Sequence, residues 1–378
     1  MLELNKVYLG DNIELMKKLD DNSIHSCVSD FPYNLSFMGK KWDTIPNYQE
    51  WCYHRAQELL RVLKPGGYCL IFGGTRTHHR LVCAFEDAGF NIRDEIMWLY
   101  GSGFPKSYNI SKGFDKKAGV EREVIGKSDS KGIHTGQGNY VGDSYKCDGY
   151  DITAPSTDLA KQWDGWGTAL KPAHEPIMVA QKPIEKNYCY NVEKYGVGGI
   201  NIDDSRVEYQ SEKDINTVKA KCSFTENSKS IGFGTKESLY GVGNTPLEQA
   251  RSCVKQEGRF PANVVLDETT GMMLDEKSGG ASRFFYCPKT SKKDKTENGL
   301  VNNIHPTVKP TDLIKYLVRL VTPKNGICLD ICEGSGTHVK ACISLANENY
   351  PVNYIGFEND EESFKIIKER VKILNSES

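Results

Sequence analysis

The chain has 378 residues, 38% of them hydrophobic, which is material for two or three domains, or for one core domain with large insertions. Its formal net charge is −2, from 48 Lys and Arg against 50 Asp and Glu, which excludes a generally polycationic protein and confines any nucleic-acid surface to a local patch. No apolar run approaches the ~18 residues of a membrane span, the opening MLELNKVYLG does not read as a signal peptide, and the twelve cysteines contain no Cys-x-x-Cys pair, so the expectation is a cytoplasmic protein with free thiols and no metal site.

Taken in order, the first hundred residues alternate strand and helix. Asn12 to Leu19 has helical spacing behind Gly10 and Asp11, and Asp11 reads equally well as a helix N-cap or as a ligand contact. Ile24 to Ser29 reads as a short buried strand that runs into Asp30, Phe31, Pro32 and Tyr33, placing an acid and an aromatic at a strand's carboxyl end, where open α/β sheets bind ligands. Taken alone, that tetrapeptide is as well explained by a loop with a satisfied Asp and a core Tyr. Tyr48 to Leu63 follows as a helix closed by Lys64-Pro65-Gly66-Gly67. Tyr68 to Phe72 is a second buried strand ending at Gly73-Gly74-Thr75-Arg76, His79 to Ala88 is a helix stopped by Gly89, and Glu95 to Tyr100 is a third strand. Strands separated by helices predict a parallel, doubly wound α/β sheet.

From Gly101 the texture changes to Gly, Ser, Lys, Tyr and Asp with little apolar periodicity, which predicts a mostly irregular insertion over 101–303. Within it, 163–182 returns to order, with Pro176 to Ala180 as a further sheet strand. The stretch after 182 reads as irregular again. Its most basic spot is Lys289, Lys292, Lys293 and Lys295, preceded by Arg283-Phe284-Phe285-Tyr286; aromatics beside cations can stack bases and hold phosphates, although a solvated charge run beside a core strand is the bland alternative. In the closing segment, 304–378, His305-Pro306-Thr307-Val308-Lys309-Pro310 leads into a helix over Thr311 to Val321. A strand, Ile327 to Asp330, then meets Ile331-Cys332-Glu333-Gly334-Ser335-Gly336-Thr337-His338 and a helix, and a further strand ends in Glu358. A strand, a Gly-x-Gly turn, a helix and an acid at the next strand tip form the signature of an adenosine-containing ligand on a helix N-terminus; a tight structural turn is the competing account.

In their shared order these pieces resemble the site-specific amino-group DNA methyltransferases, adenine N6 or cytosine N4, with the catalytic motif ahead of the cofactor motif, as in phage and prophage methylases. The resemblance implies a Rossmann-like α/β fold, S-adenosylmethionine as cofactor, double-stranded DNA as partner and a role beside restriction. It divides the chain into a catalytic half (1–100), a target-recognition insertion (101–303) and a cofactor half (304–378), and leaves the oligomeric state open, a homodimer included. It makes Tyr33 the ring that stacks on a flipped base, and Asp30 and the carbonyl of Phe31 the acceptors of its amino hydrogens. Asp11, Thr307, Lys309, Asp330, Cys332, Glu333, Gly334, Ser335, Gly336, Thr337 and Glu358 fall to the cofactor. Lys40, Lys41, Arg76, Lys106, Arg283, Lys289, Lys292 and Lys293 fall to DNA. An acidic first residue in the catalytic motif favours adenine in this family.

Two departures stand where donor and acceptor meet. Phe31 replaces the first of the two prolines usual before the aromatic, and Ile331-Cys332-Glu333 replaces the Pro-Phe-x of the cofactor motif, with His338 in place of a threonine. Three accounts are open: Phe31 supplies the ring that Cys332 no longer does, or the pocket is remodelled for another donor or group through Glu333 and His338, or the chain is a silent DNA-binding homologue.

Overall fold

The computed structural model describes residues 2–36, 41–101, 103, 107–128, 151–209, 211, 212, 214–216, 258–288, 292–303, 305 and 308–377. The chain forms two compact units, one of 1–101 with 174–378 and one of 102–173.

Among the described residues, the larger unit is built on an eight-stranded sheet. Its strands, in chain order, are β1 (Lys6–Leu9), β2 (Ile24–Asp30), β3 (Leu63–Phe72), β4 (Asn91–Leu99), β7 (His174–Gln181), β8 (Val264–Leu266), β9 (Ile327–Asp330) and β10 (Asn353–Glu358), while β5 (Val124–Lys127) and β6 (Asp151–Thr153) pair in the smaller unit. The spatial order is β1-β10-β9-β2-β3-β7-β4-β8. The central strands are apolar on both faces because both faces are covered. Cys27, Cys69, Ile71, Leu329, Ile355 and Phe357 pack with Leu15 and Met16 of α1 (Asn12–Met16), Leu59 and Val62 of α2 (Tyr48–Val62) and Phe85 of α3 (His78–Ala88). Their alternating neighbours Val28, Leu70, Phe72, Cys328 and Tyr354 pack on the other face with Leu313, Leu317, Val339 and Leu345 from the two helices that follow later in the chain. The period-two alternation of a strand thus feeds two separate cores.

The sheet departs from the all-parallel expectation at β7, which runs antiparallel to both β3 and β4. The reason is local: β4 and β7 pair back with Leu99 opposite His174, so the chain returns as a long hairpin rather than through a crossover helix. The stretch after 182, which reads as irregular, also supplies order. It contributes α6 (Tyr188–Tyr195), the parallel edge strand β8 beside β4, and α7 (Glu268–Ser278) capped by Asp267. The smaller unit holds α4 (Ile110–Ala118) and α5 (Asp158–Gln162) around buried Asp115, which accepts from the Ser156 and Thr157 amides at 3.1 and 2.9 Å and pairs with Arg122 at 3.1 Å.

After α7 come α8 (Lys292–Lys295), α9 (Thr311–Val321), α10 (Thr337–Asn347) and α11 (Glu361–Glu377). The chain steps from β2 outward to β3 in one direction and from β9 to β10 in the other, while β2 and β9 lie side by side with Ser26 opposite Cys328. That reversal is the topological switch point, and the crevice beyond the carboxyl ends of β2 and β9 is where this fold takes ligands. Among the described residues no helix is long and apolar enough to cross a membrane.

Leu70, at the centre of β3, is fully buried, so Leu70→Ala is expected to cost about 2–5 kcal/mol in urea unfolding.

Candidate active site at the switch point

Asp30 is the last residue of β2, and the turn behind it is held by its own side chains. Asp43 accepts from the Asn34 and Leu35 amides at 2.6 and 3.0 Å, Asn34 accepts from the Ile45 amide at 2.7 Å, and Thr77 donates to the Tyr33 carbonyl at 2.6 Å. Gly74, at the end of β3, must lack a side chain, since a Cβ there would stand 2.9 Å from that of Tyr33. Tyr33 is thereby fixed, half-buried, beside the core under α9 and α10.

Lys309 enters this turn from just ahead of α9 and is 7% exposed. Its Nζ lies 2.6 Å from Asp30 Oδ2 and 3.3 Å from Glu175 Oε2, with the rings of Phe72 and Tyr33 at 5.1 and 5.3 Å. The Tyr33 hydroxyl donates to Glu175 Oε2 at 2.6 Å. Burial pushes the Asp30 carboxyl above the usual range against the pull of Lys309, and pushes the Tyr33 phenol well up. Burial would lower Lys309, but Asp30 and Glu175 hold it raised and charged. The other Asp30 oxygen, Oδ1, is buried with no hydrogen-bond partner among the described residues. A buried carboxylate oxygen left open is costly unless something fills it.

Across the seam, the Ser29 hydroxyl donates to Asp330 Oδ1 at 2.6 Å, and the Cys332 amide donates to the same oxygen at 2.9 Å. Burial and the nearby Glu333 push Asp330 up to about 8. Gly334 and Gly336 both have positive φ, 60° and 88°, conformations an L side chain rarely takes, which lets the loop turn into α10 with its backbone open. Glu358, at the tip of β10, accepts from the amides of Gly334 at 2.7 Å, Asn359 at 2.9 Å and Asp360 at 2.7 Å; burial still pushes it up to about 7. Asp11 caps α1, accepting from the Ile13 and Glu14 amides at 2.9 and 3.2 Å, while its second oxygen lies 3.9 Å from Arg55. Around Cys332, two buried polar atoms lack partners among the described residues: Asn12 Oδ1, whose amide nitrogen reaches Cys332 Sγ at 3.8 Å, and Nε of Arg55, which stacks 3.6 Å over Trp51. A turn of positive-φ glycines ringed by orphaned donors and acceptors and closed by an acid fits a polar nucleoside ligand.

The two departures from the family pattern resolve differently. Phe31 is 1% exposed, with its ring edge-on to Trp51 at 5.5 Å and tilted against Phe85 at 6.1 Å, so it is a core residue and its ring is not offered to a ligand. Glu333 and His338 are spent on each other. Glu333 Oε2 meets His338 Nδ1 at 3.1 Å, its Oε1 accepts from the Val339 amide at 3.1 Å, and His338 Nε2 lies 3.6 Å from Cys342. Burial would lower His338, but Cys342 and Glu333 push it well above the histidine range. The pair ties the loop to the first turn of α10 from inside. Thr337 begins that helix, and Ser335 offers its carbonyl to buried Arg370 at 2.7 Å. Arg370, which also pairs with Glu297 at 2.9 Å, is a support that sequence reasoning missed, because an arginine in a terminal amphipathic helix reads as solvated. Glu175 was missed too; its partners become visible only once β7 lies beside β3.

Of the cations assigned to DNA, Arg76 is exposed on the turn after β3, and Arg283 lies over the Phe284 ring at 4.6 Å, 3.2 Å from Asp214. Lys40, Lys106, Lys289 and the cofactor candidate Thr307 lie outside the described residues, as do the side chains of Lys41, Lys292 and Lys293. Asp330, Glu333 and His338 together have ligand atoms close enough for a metal ion. Asp330 Oδ1 already accepts from Ser29 and the Cys332 amide, and Glu333 already meets the Val339 amide and His338, so the set reads as a hydrogen-bonded network.

Glu358 yields a pH prediction. Its folded value of about 7 exceeds the ordinary 4.5, so the folded state holds a proton that the unfolded chain releases. The contribution is full below the unfolded value and is lost as pH rises through 7, amounting to ~3 kcal/mol. Stability measured by urea melts is expected to fall from about pH 5 to about pH 8, and less steeply in Glu358→Gln.

Residues 24–369 match the family of DNA methylases of N6 and N4 type. The chain is 25% identical to the type II methyltransferase M.HindIII of Haemophilus influenzae, over 97% of this chain and 95% of that one. It is 33% identical to the type II methyltransferase M.HpaI of Haemophilus parainfluenzae, over 29% of this chain and 36% of its relative. Among solved structures, the cytosine-N4-specific PvuII DNA methyltransferase aligns at 14% identity and a TM-score of 0.46, over 99% of this chain and 94% of its own. With the family's residues 24–369 spanning both halves of the sheet and the crevice between them, the chain belongs to the N6/N4 DNA methylase family and is a DNA methyltransferase.

Proposed function

We propose that this enzyme methylates the N6 amino group of adenine in double-stranded DNA, on a base turned out of the helix, and that the open oxygen of Asp30 is the group that receives it. The carrying observation is Asp30 Oδ1, buried, unpartnered and next to the half-buried Tyr33 ring. An exocyclic amino group inside a duplex is paired and out of reach, so the base has to leave the stack and be received by a ring and by acceptors. Tyr33 stacks on the base. Asp30 Oδ1, with the carbonyl of Phe31, accepts the amino hydrogens and so turns the nitrogen lone pair toward the donor. S-adenosylmethionine, when bound, supplies the electrophilic methyl group. Gly334, Ser335 and Gly336 give it room, Glu358 holds its ribose, and Asn12 and Arg55 offer their unpartnered atoms beside Cys332. The nitrogen sheds one proton as it gains the methyl group, and the Asp30 carboxylate, raised by burial, is the base in reach. Lys309 keeps that carboxylate ionised until then. Arg76 and Arg283 are the cations this reading assigns to DNA phosphates, and the acid at position 30 supports adenine over cytosine.

The test is transfer from S-adenosylmethionine to duplex DNA read by mass spectrometry of the nucleosides. Deoxyadenosine gaining one methyl group is the expected result, and methylated deoxycytidine, or any other mass, would overturn this assignment. Asp30→Ala is expected to lower kcat by about 10²-fold or more while cofactor binding, measured by calorimetry, is retained.

A further inference from the structure

The charge pattern around Lys309 contains more than the proposed reaction uses. One ammonium needs one carboxylate for neutrality, and Asp30 already provides it at 2.6 Å. A second carboxylate, Glu175, nevertheless stands 3.3 Å from the same nitrogen. Placing it there carries a cost, because two carboxylates that share one ammonium repel each other. Glu175 is not on a loop that could swing away. It lies near the start of β7, opposite Trp98 on β4, one residue before Pro176, whose carbonyl accepts from Gly73 at 3.0 Å, and two before Ile177, which pairs with Phe72. The same oxygen that faces Lys309 also takes the Tyr33 hydroxyl at 2.6 Å.

We infer that Glu175 is a positioning residue for methyl transfer, clamping the Tyr33 ring by its phenol and drawing Lys309 partly off Asp30, so that the open Asp30 oxygen is a stronger acceptor. This rests on the reading of Asp30 as the group that receives the amino hydrogens. Without Glu175, Lys309 would belong wholly to Asp30, and the carboxylate would be largely neutralised at the moment its basicity is needed. Without the contact to Glu175, the Tyr33 phenol would be left with Asp30 alone, the very group a base has to reach, and a stacking platform drawn that way does not hold a base in line. The other titratable groups facing this cluster are the Tyr100 phenol, held up to about 12 by burial and by Glu175, and the Cys332 thiol on the loop after β9, pushed up by burial. Both are neutral near pH 7, so Lys309 and the two carboxylates set the local charge.

The experiment compares wild type, Glu175→Gln and Glu175→Asp in steady-state methylation across pH, with calorimetric cofactor binding as the check that each variant is folded. Glu175→Gln removes the like charge and returns Lys309 to Asp30. Its kcat is expected to fall about tenfold with KM values for DNA and cofactor little changed. The acid limb of its kcat profile should move down by about one pH unit, because Asp30 then ionises more readily. Glu175→Asp keeps the charge but withdraws it from the phenol, so it should lose kcat with its acid limb in the wild-type position. A Tyr33→Phe and Glu175→Ala cycle in thermal unfolding reads the clamp without turnover, because alanine, unlike glutamine, leaves the phenol no acceptor at this position, and the two losses should be less than additive. A Glu175→Gln enzyme with wild-type kcat and an unmoved acid limb overturns the inference and leaves the proposed activity standing, as do additive losses in the cycle. A wild type that transfers no methyl group to DNA overturns the activity and this inference with it.

Discussion

The structure depends on one seam, the pairing of β2 with β9 at the centre of the sheet. It joins two parts of the chain some three hundred residues apart and sets two acids, Asp30 and Asp330, at adjacent strand ends. Because both strands are fixed by backbone hydrogen bonds and buried on both faces, neither acid can drift from the other. Ser29 makes the link direct, since it precedes Asp30 on one strand and donates to Asp330 on the other. The group proposed to receive a base and the loop proposed to hold its methyl donor are thus parts of one rigid element, which is what a transfer between two bound molecules requires.

Around that seam the chain buries several charges that meet a partner of opposite sign. Lys309 sits between Asp30 and Glu175, Glu333 faces His338, and Arg370 and Lys340 both reach Glu297. Such pairs add little net stability over apolar packing, but breaking one leaves an uncompensated charge and is costly. Their value here is geometric. The turn after β9 has bare backbone at Gly334 and Gly336, so its shape there is held by neighbouring groups. Glu333 and His338 hold it from within, Arg370 grips the Ser335 carbonyl, and Glu358 grips the Gly334 amide. A loop that must stay bare to admit a ligand is kept in place by ionic neighbours instead.

Much of this was legible in the residues. Asp30, Tyr33 and Lys309 stand in motifs whose order is specific, and the strand-turn-helix around Gly334 and Gly336 could be read from glycine spacing and the acid at 358. The direction of β7 was not legible, because an apolar run such as Pro176 to Ala180 has the same pattern whichever way it runs, and Glu175 depends on that direction. Arg370 was hidden for a related reason: helical periodicity marks its face, but not that the neighbouring helix brings an acid to meet it. Phe31 and the Glu333–His338 pair looked like changes to the ligand pocket. Phe31 is taken up by Trp51 and Phe85, and the other two by each other. Adjacency in sequence to a functional residue does not set which way a side chain turns.

The hairpin of β4 and β7 has an architectural consequence. The smaller unit leaves the sheet at Gly101 and re-enters at His174, and these points are nearly opposite one another, since Leu99 pairs with His174. Entry and exit are therefore about one strand spacing apart, ~5 Å. A segment hung from two such neighbouring points can lengthen, shrink or be exchanged for an unrelated one without changing the register of the sheet or the distance between Asp30 and the glycine turn. The sheet and the inserted unit can then change on separate schedules, the one constrained by the seam and the other only by its two points of attachment.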